Sequence, residues 1–502
     1  MSRVQYATTA VSSVLEDYFK PFRQNTIGYN QIFDTPYGKK RIIYADWTAS
    51  GRMYASIEDK LRNEIAPFVG NTHTETTVTG KSMTVAYHKA QKMIKKFVNA
   101  GKSDVLLTAG SGMTSAVNRL QRILGLRIPE KWDGDIHISR KDRPIVFVTH
   151  MEHHSNHTSW LETICDVERI EPTENGEVDL EHLAILLRKY RKRQTKIAAI
   201  TAASNVTGVE PPYHQIAKMM HEQAGLCFVD FACAAPYAKI DMNPAEPLEK
   251  LDAIYFSPHK FLGGPATPGI LVFDAKLYQN TVPDRPGGGT VSWTNPWGEH
   301  RFIEDIEARE DGGTPAFLQT IKAALCMKLK DEMQVEKMRE REEELMQILF
   351  NGLKNVVGLH ILAEHLTERL GIVSFYIENL HYNLGVKLLN DRFGIQVRGG
   401  CSCAGTYGHY LLHISKKVSN SITCEIDDGN LSHKPGWLRA SVHPIMTNED
   451  AKLLVLGIKE LAANHKTWAT DYVYCEASNE FVHKNEGTIQ KERINSWFEN
   501  IV

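Results

Sequence analysis

The chain has 502 residues, 58 Lys+Arg against 60 Asp+Glu for a formal charge of −2, and is 42% hydrophobic and 24% charged. Those proportions are ordinary for a folded soluble chain and exclude a disordered, collagen-like or coiled-coil protein. There is no basic surplus for non-specific nucleic-acid or anionic-membrane binding, so the expected partner is small and any anionic ligand is held locally.

The opening stretch carries Glu16 and Asp17 and lacks the basic-then-apolar layout of a signal peptide. No apolar run reaches the roughly 18 residues that a membrane helix needs. The 8 cysteines (Cys165, Cys227, Cys233, Cys326, Cys401, Cys403, Cys424 and Cys475) follow no framework spacing. They read as thiols of a cytoplasmic protein, mostly buried.

From about residue 85 to 275, short apolar runs alternate with longer amphipathic ones. Val105–Thr108, Ile145–Thr149, Ile197–Ala202, Leu226–Phe231 and Ile254–Phe256 read as buried strands. Ala86–Val98, Leu180–Tyr190 and Tyr213–Gln223 between them fit helical periodicity. This alternation predicts an α/β fold with a mostly parallel sheet covered on both faces. Past residue 315 the layout turns α+β: helix Val335–Leu353, strands Ile372–Ile377, Gln396–Val397 and Trp437–Val442, then helix Asn448–Ala463. The stretch from His465 onward is polar with helical segments.

Ligands of parallel sheets sit at the carboxyl ends of the strands, so the residues just after each strand carry the interest. After the first strand, Gly110-Ser111-Gly112-Met113-Thr114 leads into a helix, which suits either a plain turn or a phosphate site. After the second comes Glu152-His153-His154-Ser155-Asn156-His157. Three histidines invite a zinc reading, but the spacing is not that of a helical two-His motif and no carboxylate or cysteine partner is evident. A flat imidazole face for a planar ligand is the better use. Asp230 ends a buried strand, either as a cap or salt-bridge partner or as the ion-pair partner of a ligand's protonated nitrogen. Ser257-Pro258-His259-Lys260 precedes a Gly263-Gly264-Pro265 turn, so Lys260 is either a solvated loop residue or a Schiff-base lysine beside a phosphate site. Taken together, phosphate donors, a stacking histidine, a buried aspartate and a lysine are what pyridoxal phosphate requires.

With these motifs in place the sequence resembles the class V aminotransferase family, and within it the cysteine desulfurase and selenocysteine lyase branch. The resemblance spans roughly residues 40–460. It rests on Tyr44-Ala45-Asp46, Asn71-Thr72-His73, Glu152 to Asn156, Ser204-Asn205-Val206-Thr207-Gly208, Asp230, Ser257 to Lys260, Gly313-Thr314-Pro315, Arg398 to Cys403 and Arg439-Ala440-Ser441. It implies the pyridoxal-phosphate-dependent transferase fold type I, a large domain with a mostly parallel seven-stranded sheet plus a smaller α+β domain. The expected division is an N-terminal extension over 1–40 packing on the small domain, a cofactor domain over 41–315, a small domain over 316–464 and a helical tail over 465–502.

The resemblance also implies roles. Lys260 would form the Schiff base and move protons, Asp230 would hold the ring nitrogen protonated, and His153 would stack on the ring. Asn205 would lie beside the ring's phenolic oxygen. Gly112, Met113, Thr114, Ser257 and His259 would surround the phosphate. Thr314 would reach the phosphate of a neighbouring subunit, implying a homodimer. Arg439, with Arg398 and His73, would bind the substrate, Arg439 pairing with the amino-acid carboxylate. Cys403 falls five residues after Arg398, where the branch places its nucleophile; the bound cysteine would become alanine and leave a persulfide. Only a thiolate serves, so exposure and nearby positive charge are expected.

Three departures qualify the resemblance. Cys233 stands three residues after the aspartate, where the family usually has a glutamine touching the phenolic oxygen. The segment 404–438 is long and is expected to border the entrance of the site. The chain also extends beyond the usual core at both ends. The leading expectation is a cysteine desulfurase-like lyase with an amino-acid substrate, a protein sulfur acceptor, no metal, no nucleic acid and no membrane. The alternatives are another class V enzyme (an aminotransferase, epimerase or β-eliminating lyase) in which Cys403 is incidental, and a scaffold in sulfur transfer.

Overall fold

The computed structural model describes residues 13–132, 134–485 and 487–499, so the reading of residues 1–12 lies outside the described residues. Strands β1 (Asp104–Ala109), β2 (Ile145–Thr149), β3 (Asp166–Ile170), β4 (Lys196–Thr201), β5 (Leu226–Asp230), β6 (Ala253–Phe256) and β7 (Gly269–Asp274) form one sheet in the order β1-β7-β6-β5-β4-β2-β3. Strands β2 to β6 pair in parallel, and β7 runs antiparallel to both β1 and β6. Two of these strands escape the sequence reading for physical reasons. At the edge of the sheet, β3 carries Asp166, Glu168 and Arg169 on a half-solvated strand. For β7, the connection from β6 holds only a short turn and no crossover helix, so the chain returns antiparallel where βαβ alternation has no signal.

Alternation of side chains along the strands feeds two apolar layers. Leu106, Phe147, Ala198, Val229 and Val272 pack with helices α1 (Val78–Phe97), α4 (Leu180–Lys189), α5 (Tyr213–His221) and α6 (Phe317–Met333), while Val105, Val146, Ala199, Phe228 and Leu271 pack with α2 (Met113–Ile123) and with Trp160 of α3 (His154–Leu161). Helix α1 starts eight residues earlier than its apolar periodicity suggests, because Thr77 caps a first turn that is largely exposed.

Helix α7 (Val335–Leu353) leads to a second, antiparallel sheet of β8 (Leu359–Ile361), β9 (Ile372–Ile377), β10 (Arg398–Gly400) and β11 (Trp437–Ser441), ordered β8-β9-β11-β10. The expected strand Gln396–Val397 is a change of partner. Ile395–Gln396 pairs in parallel with Ile43–Tyr44, and after Val397 the chain pairs with β11 instead. The early segment is therefore strapped to this sheet, and Arg23 adds a hydrogen bond to the carbonyl of Ile445 (2.8 Å). Helices α8 (Tyr382–Phe393), α9 (Gly405–Leu411), α10 (Lys416–Asp427) and α11 (Asn448–Trp468) complete this part.

The expectation of a helical tail over 465–502 needs correction. Its middle is a hairpin of β12 (Tyr472–Cys475) and β13 (Glu480–His483), rich in aromatic and β-branched residues, turned through left-handed Asn479 (φ 55°). Asn479 donates to the Tyr382 hydroxyl (2.9 Å), and Tyr472 donates to Asp391 (2.9 Å), so α8 holds the hairpin down. No helix among the described residues is long and apolar enough to cross a membrane.

Gly51 joins the early segment to the turn after β6: its N–H donates to the carbonyl of His259 (2.9 Å), and a Cβ there would lie 1.8 Å from the carbonyl oxygen of Phe261. Gly51→Ala must push the 258–261 turn away. It is expected to cost about 1–3 kcal/mol of stability, read as a lower urea midpoint.

Candidate active site

A cleft of about 240 Å³ opens at the carboxyl ends of the central strands, and most of the sequence-predicted residues converge on it. Gly112, Met113, Thr114, His153, Asn205, Asp230, Cys233, Ser257, His259, Lys260, Arg398, Cys403 and Arg439 all line it.

One end gathers hydrogen-bond donors. The turn after β1 delivers the start of α2, and the Met113 N–H donates to Ser257 Oγ (2.8 Å), which leaves the serine proton free to point elsewhere. Thr114 Oγ1 shares a hydrogen bond with Ser155 Oγ (2.7 Å). Gly112 has extended backbone (φ 179°), so its role is space: a Cβ would sit 3.0 Å from Ser257 Oγ and 3.6 Å from His259 Nε2. Burial and neighbouring Lys260 push His259 down to about 4. A helix N-terminus, two hydroxyls and an imidazole around a gap that one methyl would fill form an anion cradle.

In the middle of the cleft the groups are titratable and desolvated. Asp230 closes β5; burial pushes it up to about 6, against the pull of the Ala232 N–H (2.8 Å) and of Lys260. Burial likewise lowers Lys260, whose Nζ has no hydrogen bond or ion pair among the described residues. His153 accepts from the Ser155 N–H (3.1 Å), and burial with the charges of Lys260 and Arg439 brings it down to about 3, so its ring is neutral. Beneath it lies Glu152, whose carboxylate accepts from Thr149 Oγ1 (2.6 Å), the Thr149 and Thr201 N–H groups (3.2 and 2.9 Å) and Asn156 Nδ2 (2.7 Å). Cys233 is buried, its Sγ 3.7 Å from the carbonyl of Ser204, and burial pushes its thiol up to about 12. Asn205 Oδ1 is buried without a partner among the described residues, an acceptor open to a donor from the cleft.

The far wall comes from the second sheet. Arg398 and Arg439 are direct cross-strand partners, and both reach Asp46: Arg398 Nε at 3.1 Å, Arg439 Nη2 at 2.8 Å. Arg439 Nη1 also donates to the carbonyl of Asn205 (3.0 Å), while its buried Nε has no partner. Cys403 is exposed at the rim, and Ser402 and Cys403 are both left-handed (φ 50° and 55°). The Ser402 carbonyl accepts from Asn205 Nδ2 (2.6 Å).

Two predicted residues stand elsewhere. His73 and Thr314 are exposed and outside the cleft; Thr314 donates to Asn71 Oδ1 (3.3 Å), and His73 lies against Gly289. No residue of the segment 404–438 lines the cleft; its first helix, α9, is seated behind Cys403, beside His154 and His157. Among the described residues no group of three or more His, Cys, Asp or Glu gathers as a metal site, so the three histidines of the 152–157 stretch do not converge. The role of Asp46 is missed from sequence, although its motif is noted, because its partners lie over 350 residues away.

Comparison with known proteins agrees with this arrangement. The profile of the family described as Aminotransferase class-V matches residues 43–454. Relatives include a "Probable cysteine desulfurase" of Staphylococcus epidermidis, 27% identical over 434 residues and spanning 86% of this chain and 94% of that one. A protein of the same description from Staphylococcus aureus is 26% identical, over 74% of this chain and 86% of its own. Among solved structures, the apo cysteine desulfurase from Thermococcus onnurineus NA1 superposes with a TM-score of 0.70 at 20% identity, covering 88% of this chain and 98% of that one. The cysteine desulfurase CsdA of Escherichia coli gives 0.64 at 20% identity, covering 83% and 94%.

Burial holds Glu152 up at about 7 from an ordinary 4.5, with nearby Asp230 adding to the rise. The folded state therefore keeps this proton more tightly than the unfolded chain, and the associated stability is complete below about 4.5 and lost as pH rises through about 7. Urea midpoints of wild type are expected to fall relative to Glu152→Gln between pH 5 and pH 8, by roughly 2.5 kcal/mol in unfolding free energy.

Proposed function

The chain belongs to the class-V aminotransferase family, whose enzymes work with pyridoxal 5′-phosphate, and we propose that it is a cysteine desulfurase that converts L-cysteine to L-alanine and takes the sulfur as a persulfide on Cys403. The observation that carries this reading is the exposed thiol of Cys403 on the rim of a cleft whose other walls hold a guanidinium pair and a half-buried lysine with no hydrogen-bond or ion-pair partner among the described residues.

The residues fit the cofactor on their own evidence. The cradle of Gly112, Met113, Thr114, Ser257 and His259 matches a phosphate, and the partnerless Asn205 Oδ1 matches a hydroxyl at the ring edge. When bound, pyridoxal phosphate supplies an electron sink for carbanion chemistry at the substrate. Lys260 Nζ is the amine that would hold it, and its burial favours the neutral base that can move a proton at the substrate Cα. Asp230 would hold a proton on the ring nitrogen of the bound cofactor, because two opposite charges in one buried site are cheaper than one. His153, neutral at working pH, offers its flat face. Arg439 and Arg398 share the single negative charge of Asp46, so the pair keeps a net positive charge for an amino-acid carboxylate. Cys233, as a neutral thiol, would offer the cofactor only a weak donor in place of an amide.

A homodimer is part of the reading. His73 and Thr314 are functional positions of the resemblance that face solvent in a single chain, which suits a contribution to the cleft of a second copy.

Purified protein is expected to be yellow and to lose that absorbance in Lys260→Ala. With L-cysteine it is expected to give alanine and a persulfide on Cys403, and Cys403→Ser is expected to lower alanine formation roughly 10²-fold or more. Full alanine production by Cys403→Ser, measured by mass detection, would instead point to a class V lyase in which Cys403 is incidental.

A further inference from the structure

The Glu152-to-His157 stretch contains two histidines that the cofactor chemistry does not use. Both point the same way, because His154 and His157 lie three residues apart on α3 and share a face. His154 Nε2 accepts from the Gly405 N–H (2.8 Å), and the backbone N–H of His154 donates to the carbonyl of Cys403 (2.7 Å). His157 Nδ1 shares a hydrogen bond with Thr406 Oγ1 (3.2 Å). Gly405 is the first residue of α9, a helix whose N-cap, Ala404, offers no side-chain acceptor. The His154 ring therefore satisfies a helix-start N–H that the local sequence leaves orphaned.

We infer that His154 and His157 are positioning residues that latch the first turn of α9 onto α3 and thereby fix Cys403 at the cleft. The two residues that precede α9's N-cap, Ser402 and Cys403, are both left-handed, a conformation that persists only where the surroundings hold it. The latch is one side of that hold and Asn205, bonded to the Ser402 carbonyl, is the other. Because His153 is the residue before His154, the ring face in the cleft and the anchor of the cysteine loop belong to one short segment.

The His154 arm of the latch works only with a neutral imidazole, since a protonated Nε2 cannot accept from the Gly405 N–H, whereas the Thr406 hydroxyl can donate to His157 Nδ1 or accept from it. The titratable and charged groups around them are Lys434 and His153 near His154, Arg169 (itself ion-paired with Glu171 at 2.8 Å) and His154 near His157, and His409 of α9, whose Nδ1 meets the Gly405 carbonyl (2.7 Å). Burial with Lys434 holds His154 below the ordinary imidazole value, and burial with Arg169 and His154 does the same for His157, so the His154–Gly405 bond is closed at neutral pH and opens as pH falls through the lowered value of His154.

The inference rests on Cys403 as sulfur acceptor for its functional meaning, so its test includes a readout without turnover. Amide hydrogen exchange over residues 403–408 of the holoenzyme, carrying Cys403→Ser where needed, reports Gly405 directly. In His154→Ala, Gly405 is expected to exchange roughly three- to tenfold faster, the range set by one neutral hydrogen bond. The kcat for persulfide formation should fall by a similar factor with KM and bound pyridoxal phosphate unchanged. The double variant His154→Gln, His157→Asn places an amide oxygen where His154 Nε2 accepts and an amide group where His157 Nδ1 meets Thr406. It should restore protection and kcat and lose the acid-induced acceleration of exchange expected of wild type, after correction for intrinsic rates. Unchanged Gly405 exchange in His154→Ala overturns the latch, and so does acid acceleration that persists in the double variant. Failure of the sulfur-acceptor reading would appear separately, as full alanine production by Cys403→Ser.

Discussion

Two guanidinium groups held directly opposite each other on neighbouring antiparallel strands repel unless an anion lies between them. Arg398 and Arg439 are such a pair, and the anion is Asp46, delivered from the early part of the chain. That need explains much of the architecture around it. Ile43–Tyr44 joins Ile395–Gln396 in a parallel pair, the Thr48 N–H donates to Ser441 Oγ (3.0 Å), and Trp47 packs against His443 with ring centroids 4.3 Å apart and planes tilted by 30°. The strap carries one negative charge to a place with two positive ones, which leaves the far wall of the cleft cationic. A chain with a formal charge of −2 thus has a local site for an anion without any basic surface.

The opposite wall follows a different rule. Strand ends of a parallel sheet covered on both faces are dry, so each ionisable group there is set by desolvation before any partner acts. Glu152 and Asp230 are pushed up, Lys260, His153 and His259 are pushed down, and burial is the largest cause in every case. Desolvated acids and bases with opposed shifts within one cleft are the pattern expected of groups that exchange protons rather than of structural ion pairs. The structural ion pairs of this chain look different: Arg119 and Glu310, both buried, are closed at 2.8 Å.

What the sequence made legible was whatever local pattern encodes. Continuous apolar runs marked the central strands, and the residues immediately after them marked Lys260, Asp230, His153 and the 112–114 turn, because the fold places ligands there. The edge strand β3, the antiparallel return of β7 and the tail hairpin were not legible. Charge on a solvated edge, a connection without a helix, and strands stabilised by α8 leave no periodic trace. The pairing of Asp46 with two arginines, and the separation of His73 and Thr314 from the cleft, depend on contacts between distant parts of the chain. Motif resemblance identified these residues without telling where a single chain would put them.

The histidine stretch shows how far one buried carboxylate reaches. Glu152 is 1% exposed and receives four hydrogen bonds from β2, β4 and α3, so its backbone has little freedom. The next residue presents a ring to the cleft, and the one after it meets the cysteine loop. Left-handed backbone at Ser402 and Cys403 costs roughly 1 kcal/mol or more per residue, so the loop keeps that shape only through anchors at His154 and Asn205. Both anchors belong to segments that also face the cleft. The distance between the ring face of His153 and the sulfur of Cys403 is therefore governed by the rigid strand ends of the large sheet, although Cys403 itself follows a strand of the small one.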